Sequence, residues 1–173
     1  MPTFTEVLAD GYTPVYDSTG TTKVNGNGAS VEVVPTVTAG AYIAGKQIGN
    51  IMTFANILPA SFNGVLESLT LKFKGTLQTT EFDVALFRVS PAGTFTDNAT
   101  PAIATTDTAL LIGVYPMTAN QSPLGTHTVY NLDGIARQVV GSSTSLFAVV
   151  TTKAVPVAPA TTTDMSLRLG MIW

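Results

Sequence analysis

The chain has 173 residues, no cysteine, and 8 Lys and Arg against 11 Asp and Glu, a formal net charge of -3. Without Cys there is no disulfide framework, cysteine metal site or thiol nucleophile. So few cations make no basic surface for neutralising phosphates, which argues against a nucleic-acid partner.

The length suits one domain. Charged residues make up 11% of the chain, against about 25% in ordinary soluble domains, and Thr is the commonest residue. A surface rich in Thr, Ser, Asn and Gly favours strands. It fits either broad protein contacts, whose cores are depleted in charge, or a plain neutral-polar β surface. The opening MPTFTEVLAD lacks the basic start and apolar centre of a secretory signal. No apolar run reaches the roughly 18 residues of a membrane helix, so no membrane partner is expected.

Residues 1–30 are punctuated by Gly11, Pro14, Gly20, Gly26 and Gly28. They read as an extended arm, with a short helical turn at Thr5 to Ala9. The domain proper is expected over 31–173. Val31 to Thr38 is β-rich, and Pro35 places it at an edge or bulge. Ala41 to Leu58 carries Gly45 and Gly49. A helix there would lose about 1 kcal/mol at each glycine relative to Ala, so two short strands or one bulged strand are expected.

Glu67 to Lys74 alternates cleanly. Leu69, Leu71 and Phe73 share one face, and Ser68, Thr70, Lys72 and Lys74 the other. GTLQTT then reads as a hairpin connection into a strand over Glu81 to Val89. A Thr-rich excursion follows, with Pro91, Gly93, Asp97, Asn98 and Pro101 breaking any strand. Ala109 to Met117 and Ser145 to Thr152 are continuous apolar runs suited to central strands. His127 to Leu132 and Ile135 to Val140 flank Asp133–Gly134, a turn pair. After a loop rich in Pro and Thr, Met165 to Trp173 alternates as a closing strand. The sum is an all-β fold: an antiparallel, jelly-roll-like β-sandwich of about eight strands.

Catalytic groupings are sparse. His127 is the sole histidine, with no Gly-x-Ser-x-Gly elbow to accompany it, and reads as a surface residue. Glu81 and Asp83 sit two apart on one strand face, about 6.6 Å from each other by strand rise. That spacing suits inverting glycoside hydrolysis. A catalytic acid also needs burial, and Phe82 and Val84 should claim the buried face. Asp97 and Asn98 offer too few oxygens for calcium and fit turn closure instead. GNGAS lacks the Gly-Lys-Ser/Thr ending of a phosphate loop. Tyr12, Tyr16, Tyr42, Tyr115 and Tyr130 could stack on sugars or serve as core edges. No cofactor, metal ligand or catalytic residue is assigned.

Three segments, QIGNIMTFANIL (Gln47 to Leu58), VALFRVSPAGTFTDNATPAIA (Val84 to Ala104) and DMSLRLGMIW (Asp164 to Trp173), resemble small structural proteins of tailed-bacteriophage particles. The resemblance spans Ala41 to the C-terminus. It implies a non-enzymatic virion protein: a capsid decoration or cement protein on the capsid exterior, assembled in the host cytoplasm. Its implied partners are the major capsid protein and further copies of itself, a trimer by analogy. The alternative is a receptor- or glycan-binding head of a tail fibre or baseplate. Interface residues are expected in the arm (Phe4, Val7, Tyr12, Tyr16) and in the excursion (Thr94, Phe95, Thr96, Asp97, Asn98).

Overall fold

The computed structural model describes residues 15–16, 22–23, 27–74, 81–117, 121–124, 127–153 and 159–173. These residues form eleven strands. They are β1 (Val15–Tyr16), β2 (Thr22–Lys23), β3 (Gly28–Val33), β4 (Gln47–Phe54), β5 (Asn63–Phe73) and β6 (Phe82–Phe87). Beyond a short 3-10 helix (Thr105–Leu110) come β7 (Leu111–Met117), β8 (Gln121–Leu124), β9 (His127–Val140), β10 (Leu146–Thr152) and β11 (Met165–Ile172).

Two antiparallel sheets form the sandwich, one in the order β4-β10-β6-β7 and the other β3-β11-β5-β9-β8. The eight long strands arrange as β3-β11-β5-β9 facing β4-β10-β6-β7, the double Greek key of a jelly roll. β1 and β2 pair with each other as a small ribbon. The expected helical turn at Thr5 to Ala9 lies outside the described residues, as does most of the arm. The first long strand begins at Gly28.

Period-2 alternation builds the core. Leu69, Leu71 and Phe73 of β5 lie opposite Leu169, Leu167 and Met165 of β11, all buried. Phe82, Val84 and Leu86 of β6 and Leu146, Ala148 and Val150 of β10 face them from the other sheet. Phe73 and Phe82 stack at 4.9 Å between centroids, and Tyr130 meets Phe82 edge-on at 5.2 Å. Each such fully buried side chain contributes about 1.5–3 kcal/mol by leaving water.

Three local expectations are corrected. β5 and β6 belong to different sheets and do not pair, so they are not the two arms of a hairpin. Asp133–Gly134 is not a turn either: both halves of β9 pair with the same neighbour, β5. Ser68 lies opposite Asp133 and Leu66 opposite Arg137, which makes Gly134–Ala136 a bulge facing Glu67 alone. Periodicity could not separate these cases, because a bulge and a tight turn both use Gly at positive φ, here +67°. β7 is an edge strand and not a central one, with Val114 52% exposed. β4, by contrast, is the bulged strand expected, with Gly49 at φ +70° across from a register shift in β10.

Candidate functional site

The two faces of the four-stranded sheet are both apolar. β10 alternates Leu146, Ala148 and Val150 inward with Phe147 and Val149 outward, and β6 sends Ala85 and Phe87 outward. Such a face cannot be left in water, and the Thr-rich excursion between β6 and β7 covers it.

The excursion starts where the Arg88 N–H meets the Leu110 carbonyl at 3.0 Å, beside β6. A two-way backbone bridge between Thr94 and Ala102, both bonds 3.0 Å, narrows it into a strap. Phe95 then turns inward, 8% exposed, and packs edge-on against Phe87 at 6.0 Å, beside Val149. At the far side the strap reaches the edge of β4. Asn98 N–H donates to Gln47 O and Gln47 N–H donates to Ala99 O, each at 2.9 Å. The strap thus crosses the sheet from β6 over β10 to β4.

Two carboxylates fasten it. At the tip, Asp97 accepts from Thr38 N–H (2.7 Å), Thr38 Oγ1 (2.5 Å), Tyr42 OH (2.7 Å) and Gly49 N–H (2.5 Å). Burial opposes its ionisation, but those donors outweigh burial and hold its carboxyl below the usual range. The same burial and the facing carboxylate push the Tyr42 hydroxyl well up. At the root, fully buried Asp107 accepts from three backbone N–H groups: Ala92 at 2.8 Å, Gly93 at 2.9 Å and Ala104 at 3.0 Å. The Ala92 bond does most to hold its carboxyl low; burial acts against it, and the Ala104 and Gly93 bonds reinforce it. Gly93 is required there, since a Cβ would lie 2.1 Å from Ala102 O.

A third carboxylate, Asp164, accepts from Ala160 N–H (2.6 Å), Thr161 N–H (2.8 Å) and Thr161 Oγ1, and braces the loop ahead of β11. That loop in turn accepts Val37 N–H and Gly40 N–H at Thr162 O and Pro159 O. It thereby supports the segment that carries Thr38 and Tyr42.

Between strap and sheet lies an open hollow of about 420 Å³, its walls including Phe87, Phe95, Ile103, Val114 and Val149. Ile103 and Val114 stand 55% and 52% exposed at its margin. Asp83 and Lys153 pair across the rim at 3.6 Å.

The expected interface residues therefore divide. Thr94, Thr96 and Asn98 are exposed along the strap. Phe95 and Asp97 face their own chain, one as a plug and one as a fastener. Phe4, Val7 and Tyr12 lie outside the described residues. Tyr16 lies in β1, and its side chain is outside the described part. Of the carboxylate pair weighed for hydrolysis, Glu81 is exposed and Asp83 is engaged by Lys153. Tyr42 and Tyr130 are buried in the core and offer no ring face to a sugar. Asp107 was not singled out by sequence reasoning. The available signal was scarcity: from 88 to 110 the only charged residues are Arg88, Asp97 and Asp107, and all three hold the strap.

No protein-family model matches the sequence, and neither does any curated protein. Several solved structures are similar. A chain of tomato aspermy virus is 13% identical over 92% of this chain and 82% of that chain, with a TM-score of 0.40. One from the native virion of Kashmir bee virus is 10% identical over 100% and 79%, with a TM-score of 0.30. One from desmodium yellow mottle tymovirus is 15% identical over 99% and 88%, with a TM-score of 0.28. All three are virus structures. At these TM-scores the assignment of the fold rests on this chain's own strand order. Among the described residues no helix is long and apolar enough to cross a membrane.

Proposed function

We propose that this chain is a non-enzymatic structural protein of a virion, and that it acts as a capsid decoration or cement protein. It binds the assembled lattice of a major capsid protein from outside, as a homo-oligomer, with a trimer about a local symmetry axis as the arrangement to test. The three segments resembling tailed-bacteriophage virion proteins support this reading, and fold alone does not decide between roles. The observation that carries it is the strap. Its outward row of Thr94, Thr96, Asn98 and Ile103 is uncharged and exposed, yet fixed at root and tip by Asp107 and Asp97. A surface ordered before contact loses little entropy on binding, and small Thr side chains add little more. Binding the assembled shell but not free subunits stabilises the shell by mass action.

The test leaves the strap in place, since deleting it would uncover Phe87 and Val149. Ile103→Asp with Val114→Asp places charge on the exposed margin without touching either fastener. Attachment to undecorated particles, read by co-sedimentation, should fall at least tenfold while thermal unfolding stays cooperative. Unchanged attachment would refute the strap as the contact surface. Density for the chain on a tail and not on the shell, in electron micrographs of the particle, would refute decoration itself.

A further inference from the structure

We propose that Arg88 and Arg137 form an oxyanion-binding site at the seam between the two sheets. Arg88 leaves the end of β6 in the four-stranded sheet, and Arg137 lies on β9 in the five-stranded sheet. Both line one small hollow of about 150 Å³ with Leu111, Ile112, Val139 and Val140. Among the described residues no carboxylate lines it. The ion pairs among those residues are Glu32–Lys72 and Asp83–Lys153, and neither arginine belongs to one.

The Arg88 guanidinium is anchored, whereas Arg137 is exposed and held only by a long contact. Arg88 donates from one terminal nitrogen to Ala109 O at 2.6 Å, and Arg137 reaches Ile112 O at a long 3.5 Å. A guanidinium has five N–H donors, so one carbonyl anchor apiece leaves most of each fork available. The backbone before Arg137 is also unusual. The bulge at Gly134–Ala136 holds Ala136, a residue with a side chain, at φ +50°. That conformation is disfavoured for a residue that carries a Cβ, and bulges characteristically re-aim a side chain. Here the bulge immediately precedes Arg137 on β9.

Gln138 also lines the hollow; two like charges beside each other repel, and an anion between them converts repulsion into two attractions. Paired forks match the oxygens of a carboxylate, sulfate or phosphate. The hollow is below the roughly 300 Å³ at which drug-sized ligands are held, which limits the ligand to one small oxyanion group. The source is either a free inorganic ion or the side-chain carboxylate of a contacting chain.

The test is a titration of the full chain with sulfate, phosphate and acetate in separate arms, at ionic strength held constant with chloride. Backbone amide shifts of residues 88, 110–112 and 137–140 are the readout. Saturable shifts confined to those amides are expected. Tighter binding of sulfate or phosphate than of acetate would mark a free tetrahedral ion, and the reverse order a carboxylate. Arg137→Gln should weaken binding at least tenfold, and Arg137→Lys, which keeps the charge but loses the fork, several-fold. Neither substitution touches the strap. Shifts no different from chloride, or saturable shifts that Arg137→Gln leaves unaltered, would overturn the proposal.

Discussion

The outer faces of the two sheets solve the same problem in opposite ways. On the five-stranded sheet, Glu32, Arg168 and Thr70 lie side by side in register, and Lys72 reaches Glu32 at 2.9 Å. There Glu32 and Arg168 are exposed, while Thr70 is buried. On the four-stranded sheet the equivalent positions are Phe147, Phe87 and Leu111 in one row, and Val149, Ala85 and Val114 in the next. That face needs a cover, and one connection of the chain has been lengthened to supply it. The long excursion is therefore the consequence of strands that are apolar on both sides. Its polar, uncharged outer surface is what the cover presents in place of the sheet.

Substitutions can break this contrast in graded fashion. The largest effect is expected in the shared interior. Phe82→Ala removes a ring held between Phe73 and Tyr130 and should cost about 3–5 kcal/mol, read as a lower midpoint in chemical denaturation. Phe95→Ala should cost less, about 2–3 kcal/mol, because the strap can settle onto the face it covers. Amide exchange should then rise over 92–104 while β5 and β11 stay protected. Equal loss of protection in both sheets would show that strap and sandwich unfold as one unit.

Next come the fasteners. Asp107 faces three backbone N–H groups, which can only donate, so an amide turns its NH2 against at least one of them and a protonated acid accepts them more weakly than the carboxylate does. Asp97 also faces the hydroxyls of Thr38 and Tyr42, which can turn and accept. Asp107→Asn should therefore speed amide exchange in the strap markedly, and Asp97→Asn only slightly. The pH dependence follows the same logic. Both carboxyls are held below their unfolded value of about 3.9. Their contribution is fully present above that value and lost as pH falls through the lower folded values. Strap protection, corrected for intrinsic exchange, should be flat from about pH 7 to pH 5 and collapse only below about pH 4. Asp107→Asn should flatten the acid limb. The smallest effect is expected on the five-stranded sheet. Lys72→Gln breaks an exposed ion pair and should change stability by about 0–1 kcal/mol.

The elements with one wet face were legible in the sequence, β5 and β11 above all, because alternating side chains report directly on which side is buried. The bulged β4 was legible from its glycines. The role of β7 as an edge was not, since an apolar run looks the same under a neighbouring strand as under a loop. The candidate surface was half legible. Thr94, Thr96 and Asn98 could be placed outside, but the inward turn of Phe95 depends on Phe87 and Val149, and Val149 lies 54 positions further along the chain.

Local pattern and composition suffice for the all-β class, the inward rows of β5 and β11, and the absence of cysteine chemistry. Which strands share a sheet, that Asp133–Gly134 bulges instead of turning, and that Asp97 and Asp107 tie down a strap emerge only once the chain is folded. Those outcomes depend on pairings between distant segments. A carboxylate has the same formula in water and among buried N–H groups, and the fold alone sets which of the two surrounds it.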